Sequence, residues 1–176
     1  MTLKCRNIKF SVELEHTLEL STLKCKIFEK QICFILKNTF GVFTIYKNNH
    51  KKIHITGVKS SDDVFETFYF IEKTLENSII SLKIDNSMFS CKQKIEIDRI
   101  IFRNSLLMFN HLYKSQFKYE IFPGTFIKPQ PHLKKIGHPT ILFFETGSYV
   151  LIGGKNICEI NKARVFIVNL INRCKK

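Results

Sequence analysis

From Ile8 to Leu14 the chain reads Ile8-Lys9-Phe10-Ser11-Val12-Glu13-Leu14, apolar and polar in strict alternation. That period of two predicts a half-buried strand. Residues 21–27 predict a short helix capped by Ser21. Three further strands are predicted at 31–37, 40–46 and 51–57, separated by the turn compositions Lys37-Asn38-Thr39 and Lys47-Asn48-Asn49-His50. The period then changes. Ser60-Ser61-Asp62-Asp63 supplies hydroxyl caps and first-turn acids. Val64, Phe65, Phe68, Ile71 and Leu75 follow at helical spacing, predicting an amphipathic helix to about Asn77 with Phe65 and Phe68 in the core. The second half runs through the same plan. A strand is predicted over 82–84 and 88–91, and 95–101 reads as strand passing into a short helix. Strands follow at 117–128, 139–146 and 148–154. A closing helix over 156–173 buries Ile157, Ile160, Ala163, Val165, Phe166, Val168 and Ile171.

The repetition extends to individual residues. Cys5-Arg6-Asn7-Ile8 and Ile55-Thr56-Gly57-Val58-Lys59 are echoed by Ile84-Asp85-Asn86-Ser87 and Leu151-Ile152-Gly153-Gly154-Lys155. Two copies are too few for a solenoid, so the expectation is two pseudo-symmetric repeats, 1–78 and 79–176, packed as one domain. Strands clustered apart from helices predict an α+β fold with helices on one face of an antiparallel sheet. The second copy is longer, with extra residues around 105–116 and 129–138.

Charge sharpens the picture. Twenty-eight Lys and Arg stand against 15 Asp and Glu, a formal net charge of +13. That balance favours an anionic partner, nucleic acid before an acidic protein or a membrane surface. Part of the excess is also what an AT-rich coding sequence produces by drifting towards Lys, Asn, Ile and Phe. The six cysteines show no Cys-x-x-Cys pairing, and no leading apolar segment resembles a signal peptide. An intracellular protein with mostly core cysteines is expected.

Catalytic chemistry finds little purchase. His16, His50, His54, His111, His132 and His138 lack metal-ligand spacing, and Gly153-Gly154-Lys155 lacks the spacing of a phosphate loop. The sequence therefore predicts a protein that is not an enzyme, and it implies no cofactor.

The most specific residues lie in the second half. Tyr119-Glu120-Ile121-Phe122-Pro123-Gly124 and the segment Phe143-Phe144-Glu145-Thr146-Gly147, continuing through Tyr149 to Lys155, resemble the second repeat of the TATA-box-binding protein family. Lys83-Ile84-Asp85-Asn86 resembles the strand that opens that repeat, and the segments at 5–8 and 55–60 resemble the matching parts of the first. The resemblance implies a saddle: a curved antiparallel sheet of about ten strands with four helices on the convex side. It also implies that the concave side meets the DNA minor groove, where width and deformability are read and inserted aromatic rings kink the duplex.

By this resemblance Phe122 and Phe144 are the wedging rings of the second repeat. Tyr46 takes one first-repeat position; for the other, Phe28 fits with a gap and Glu29 without one. Asn7 and Asn86 match the asparagines that hydrogen-bond central base pairs, Thr56 matches a base-contacting threonine, and Met88 matches a groove-lining valine. Lys9 and Ile152 depart from the family pattern, at a valine and a threonine. Lys59, Lys128 and Lys155 match basic positions near phosphates. Tyr119, Glu120 and Ile121 fall in an end loop that implies a partner-protein contact. The implied function is a transcription initiation factor that binds and bends AT-rich promoter DNA. Its implied partners are transcription factor IIA-like and IIB-like proteins and RNA polymerase. It would act in the nucleus, or in a viral factory if the chain is viral. The alternative is an interaction module on the same fold, with specific DNA reading weakened by Lys9, Glu29 and Ile152.

Overall fold

The computed structural model describes residues 3–23, 26–117 and 123–176. The chain divides into two compact units, one formed by Cys5–Asp85 and the other by Asn86–Lys176 with the first few residues.

In the Cys5–Asp85 unit, β1 (Lys4–Leu14), β2 (Ile27–Glu29), β3 (Cys33–Asn38), β4 (Gly41–Tyr46) and β5 (Asn49–Val58) are antiparallel, in the order β2-β3-β4-β5-β1. The alternation read from Ile8 to Leu14 is realised within β1: Phe10, Val12 and Leu14 are buried. Phe43 and Ile45 of β4 and Ile53 and Ile55 of β5 join them in one core. Helix α1 (Ser61–Lys73) covers that face. It starts where the sequence says it should, because Ser60 and Asp63 form a reciprocal capping box that satisfies two otherwise unpaired amides. Val64, Phe68 and Ile71 turn inward, Phe68 meeting Phe10 edge-on at 6.4 Å between ring centroids and Phe70 lying 4.9 Å from Phe43.

Phe65 is a correction. It is 69% exposed, because it lies about 100° around the helix from Val64 and falls off the buried stripe. The helix predicted over 21–27 is also corrected: a single 3-10 turn at Leu20–Thr22 precedes the short strand β2.

Strand β6 (Ile79–Cys91) carries the chain from one unit to the other as one continuous strand rather than two pieces. In the second unit it continues with α2 (Arg99–Leu107), β7 (Tyr113–Phe117), β8 (Gly124–Pro129), α3 (Pro131–Lys135), β9 (Thr140–Phe144), β10 (Tyr149–Ile152) and α4 (Ile157–Cys174). The strand order is β6-β10-β9-β8-β7, again antiparallel. Asp98 caps α2 by accepting from the amides of Ile100 and Ile101, which places the start of that helix four residues later than the apolar run beginning at Ile95 suggests. Phe102 of α2 stacks on Phe143 of β9 at 4.2 Å. Ile160, Ala163, Ile167, Leu170 and Ile171 of α4 fill the rest of the core, whereas Ile157 and Val165, expected there, are exposed.

A buried polar chain lies inside this core. The Tyr113 hydroxyl is 2.7 Å from His138 Nε2, and His138 Nδ1 is 2.9 Å from a Glu159 carboxylate oxygen. The second Glu159 oxygen accepts from Lys162. This chain ties β7, the segment after α3 and α4 together, so the insert at 129–138 is anchored rather than a free loop. Burial pushes the Tyr113 hydroxyl well above its ordinary pKa, which keeps it protonated as a donor to His138.

Cys33, Cys91 and Cys174 are buried as expected, while Cys5 is half-buried and Cys158 exposed. No described helix is long and apolar enough to cross a membrane.

Candidate nucleic-acid interface

In each unit the strands have one face packed under helices and one face that no described helix covers. Alternation decides which side chains reach the open face. In the second unit, Phe143, Leu151 and Ile141 point into the core, so their neighbours Leu142, Phe144, Val150 and Ile152 point away. Cross-strand pairing extends the set: Phe126 is opposite Leu142, and Met88 is opposite Ile152. The result is an open patch of Met88, Phe126, Leu142, Phe144, Val150 and Ile152, none of them fully buried. Cations border it on the outer strands. Lys128 lies over the Phe126 ring at 5.9 Å and is paired with Lys114 on β7.

The first unit presents the same lattice with different chemistry. Val42 pairs with Thr56 as Thr140 pairs with Ile152, and Cys33 pairs with Tyr46 as Gly124 pairs with Phe144. Counting along these registers, Ile35 stands where the second unit has Phe126. Thr44 replaces Leu142, Tyr46 replaces Phe144, His54 replaces Val150, and Lys9 replaces Met88. The apolar patch has become polar at three of these five positions. His54 Nδ1 is 3.6 Å from Asp85, Ser11 Oγ is 3.5 Å from the same carboxylate, and Tyr46 meets His54 edge-on at 5.4 Å.

The register also bears on the first-repeat aromatic positions. By sequence count alone, Gln31 stands two residues before Cys33 as Phe122 stands two before Gly124. Phe28 is on the neighbouring strand β2, opposite Ile35 on the open face, 42% exposed and flanked by Lys26 and Lys37 at 5.2 and 5.6 Å. Glu29 pairs with Phe34, which itself pairs with the buried Ile45. Glu29 therefore belongs to the helix-covered side, and the expectation that it faces the open side is corrected.

The paired asparagines occupy equivalent strand positions, Asn7 on β1 and Asn86 on β6, but are held differently. Asn7 accepts a hydrogen bond from the Gly57 amide at 2.8 Å, which fixes its carboxamide so that the oxygen faces the backbone and the NH2 group is the outward donor. Asn86 is exposed, and the equivalent Gly153 amide donates to the Ser87 carbonyl at 3.0 Å instead. Gly57 and Gly153 have φ of 88° and 85°, so both copies use the same left-handed turn, and glycine is required at each.

The remaining candidates are accounted for as follows. Thr56 is half-buried beside Val42 on the open face. Lys59 and Lys155 are exposed, each next to the N-terminus of a long helix: the Lys59 amide donates to Asp63, and the Lys155 amide donates to the Gly137 carbonyl. Phe122 and the residues Tyr119, Glu120 and Ile121 lie outside the described residues. Phe126 was missed in the sequence; the signal available was its even offset from Gly124, whose own partner is Phe144.

The chain matches no protein-family model and no curated protein sequence. Its structure is similar to that of a TBP from Methanococcus jannaschii, at 18% identity and a TM-score of 0.72, covering 98% of this chain and 99% of that one. That likeness shows the fold: the TBP-like α+β fold, an open antiparallel sheet of ten strands with four helices among the described residues.

Proposed function

We propose that this chain is a TBP-like transcription initiation factor that binds AT-rich duplex DNA through its minor groove and bends it. The observation that carries the reading is the open face of the Asn86–Lys176 unit. A half-exposed apolar patch containing two Phe rings, with lysines along its outer strands, is costly to leave facing water. A widened minor groove offers it apolar sugar edges and separable base steps, and phosphates for the lysines. The outward NH2 of Asn7 suits a groove floor of A·T pairs, which present acceptors only. In this reading Phe144 and Phe122 wedge, Tyr46 and Thr56 line the first half, Asn7 and Asn86 read, and Lys59, Lys128 and Lys155 hold phosphates. Transcription factor IIA-like and IIB-like proteins and RNA polymerase would assemble on the complex, with 119–121 as one contact.

Selection of bound duplexes from a random pool tests the proposal. Enrichment of AT-rich sites is expected, and recovery of no preferred sequence would count against groove reading. Salt gives a second measurement. Each lysine–phosphate contact contributes about −0.9 to the slope of log K against log salt. Lys128→Ala is expected to reduce that slope by about one contact; an unchanged slope removes Lys128 from the interface.

One observation favours a weaker grip by the first unit. Lys9, His54 and Asp85 make its open face polar, and an acid there repels phosphate. Asp85→Asn should therefore tighten DNA binding several-fold at low salt, as measured by fluorescence anisotropy.

A further inference from the structure

We propose that the outward stripe of α1 is a docking surface for a basic, arginine-bearing segment of a protein partner. The stripe is built from Asp62, Phe65, Glu66, Tyr69, Glu72 and Glu76, which recur at intervals of three and four along one side of the helix and just beyond its end. All six are exposed, with Phe65 at 69% and Tyr69 at 62%. The opposite side of the same helix carries the buried Thr67 and Ile71, so the fold does not use these aromatic rings.

The charge is out of character with the chain. In a protein of net charge +13, residues 62–76 hold five acids and one lysine. Asp63 serves the capping box, and Asp62 suits the positive end of the helix. Glu72 and Glu76 do neither. Glu72 lies in the last turn, where a negative charge opposes the helix dipole. Glu76 has a φ of 48°, in the left-handed region where glycine is preferred after a helix. Helix stability explains neither residue. Among the described residues, Asp62, Glu66, Glu72 and Glu76 form no ion pair, so their charge is available to a visitor.

Charge complementarity selects the occupant. Nucleic acid and anionic lipid are repelled. A basic segment is attracted, and the alternation of carboxylate and aromatic ring suits arginine above lysine. A guanidinium stacks flat on Phe65 or Tyr69 while its N–H fork meets a neighbouring carboxylate in a bidentate pair. This surface lies on the helix-covered side of its sheet, away from the open face, so the proposal does not depend on DNA binding.

The test uses the full chain and three synthetic amphipathic peptides of one pattern, with Arg, Lys or Glu at the polar positions beside Leu. Fluorescence anisotropy is expected to rank Arg above Lys, with no binding of the Glu peptide. Tyr69→Ala and the double variant Glu66→Lys, Glu72→Lys should each weaken the Arg peptide about tenfold or more, with circular dichroism and DNA affinity unchanged. Phe65→Ala is the second aromatic variant should Tyr69→Ala fold poorly. Absence of Arg-peptide binding, or binding that all these variants retain, overturns the proposal. Sedimentation that shows a dimer of the chain lost on Tyr69→Ala also overturns it, in favour of a second copy as occupant.

Discussion

Phe144→Ala is expected to yield a protein that still associates with an AT-rich duplex but no longer kinks it. Opening one base step costs on the order of a few kcal/mol, and an aromatic ring stacked on a base returns about 1–3 kcal/mol. Without the ring the step has no reason to unstack. Lysine contacts to phosphate persist, so the affinity loss stays near tenfold while the bend, followed by energy transfer between end-labelled fluorophores, collapses. The neighbouring residue supplies the control. Phe143 points the other way, buried and stacked on Phe102 at 4.2 Å. Phe143→Ala should destabilise the fold by about 3–5 kcal/mol, whereas Phe144→Ala, at a half-buried position, should lower the melting temperature markedly less. An unchanged bend in Phe144→Ala would remove that residue from the wedge. Equal melting losses for the two variants would mean that the alternation has been assigned to the wrong faces.

A second large effect on stability is expected from His138→Ala. His138 is the middle of a buried chain, bonded on one side to Tyr113 and on the other to Glu159. Alanine leaves a phenol hydroxyl and one carboxylate oxygen without their partner in a dry site, a loss of about 3 kcal/mol. For a domain of this size that lowers the melting temperature by roughly 6–12 °C. The same chain sets an acid limit. The Lys162 ammonium, and then His138, hold the Glu159 carboxyl below its ordinary pKa. A depressed folded-state value stabilises above the unfolded-state pKa of about 4.3. The contribution is lost as pH falls through the lower folded value. Glu159→Gln should therefore flatten the acid limb of a stability–pH curve, followed by urea midpoints. A curve that retains its full slope would show that another carboxylate sets it.

Much of this fold was legible because its periodicities are local. The alternation around Phe10 and the cap at Ser60 each name their element without reference to anything distant. What could not be read depends on partners remote in sequence. Phe65 and Phe68 look alike as members of an apolar run, and only the position of the sheet decides which is covered. Glu29, Gln31 and Phe28 could not be ordered until β2 and β3 had a register, because a one-residue slip exchanges the faces of a strand. The three-residue strand β2 is too short to announce itself by alternation. The candidate interface followed the same rule. The Phe144 motif is contiguous and was visible, whereas Phe126 joins the patch only through pairing with Leu142, and the His54–Asp85 contact joins residues 31 positions apart.

The unequal chemistry of the two open faces has a consequence for polarity. An AT-rich duplex viewed from its minor groove is nearly the same read in either direction, and a protein with two identical halves would sit on it either way round with equal probability. Here one half offers Met88, Leu142 and Val150 where the other offers Lys9, Thr44 and His54. On the proposed DNA-binding reading, a step that unstacks more easily at one end of a site would favour the half with the apolar face. A difference of about 1.4 kcal/mol biases the two placements tenfold. Divergence between the copies would thus turn a symmetric grip into an arrow along the DNA, so that what assembles on the protein faces one way.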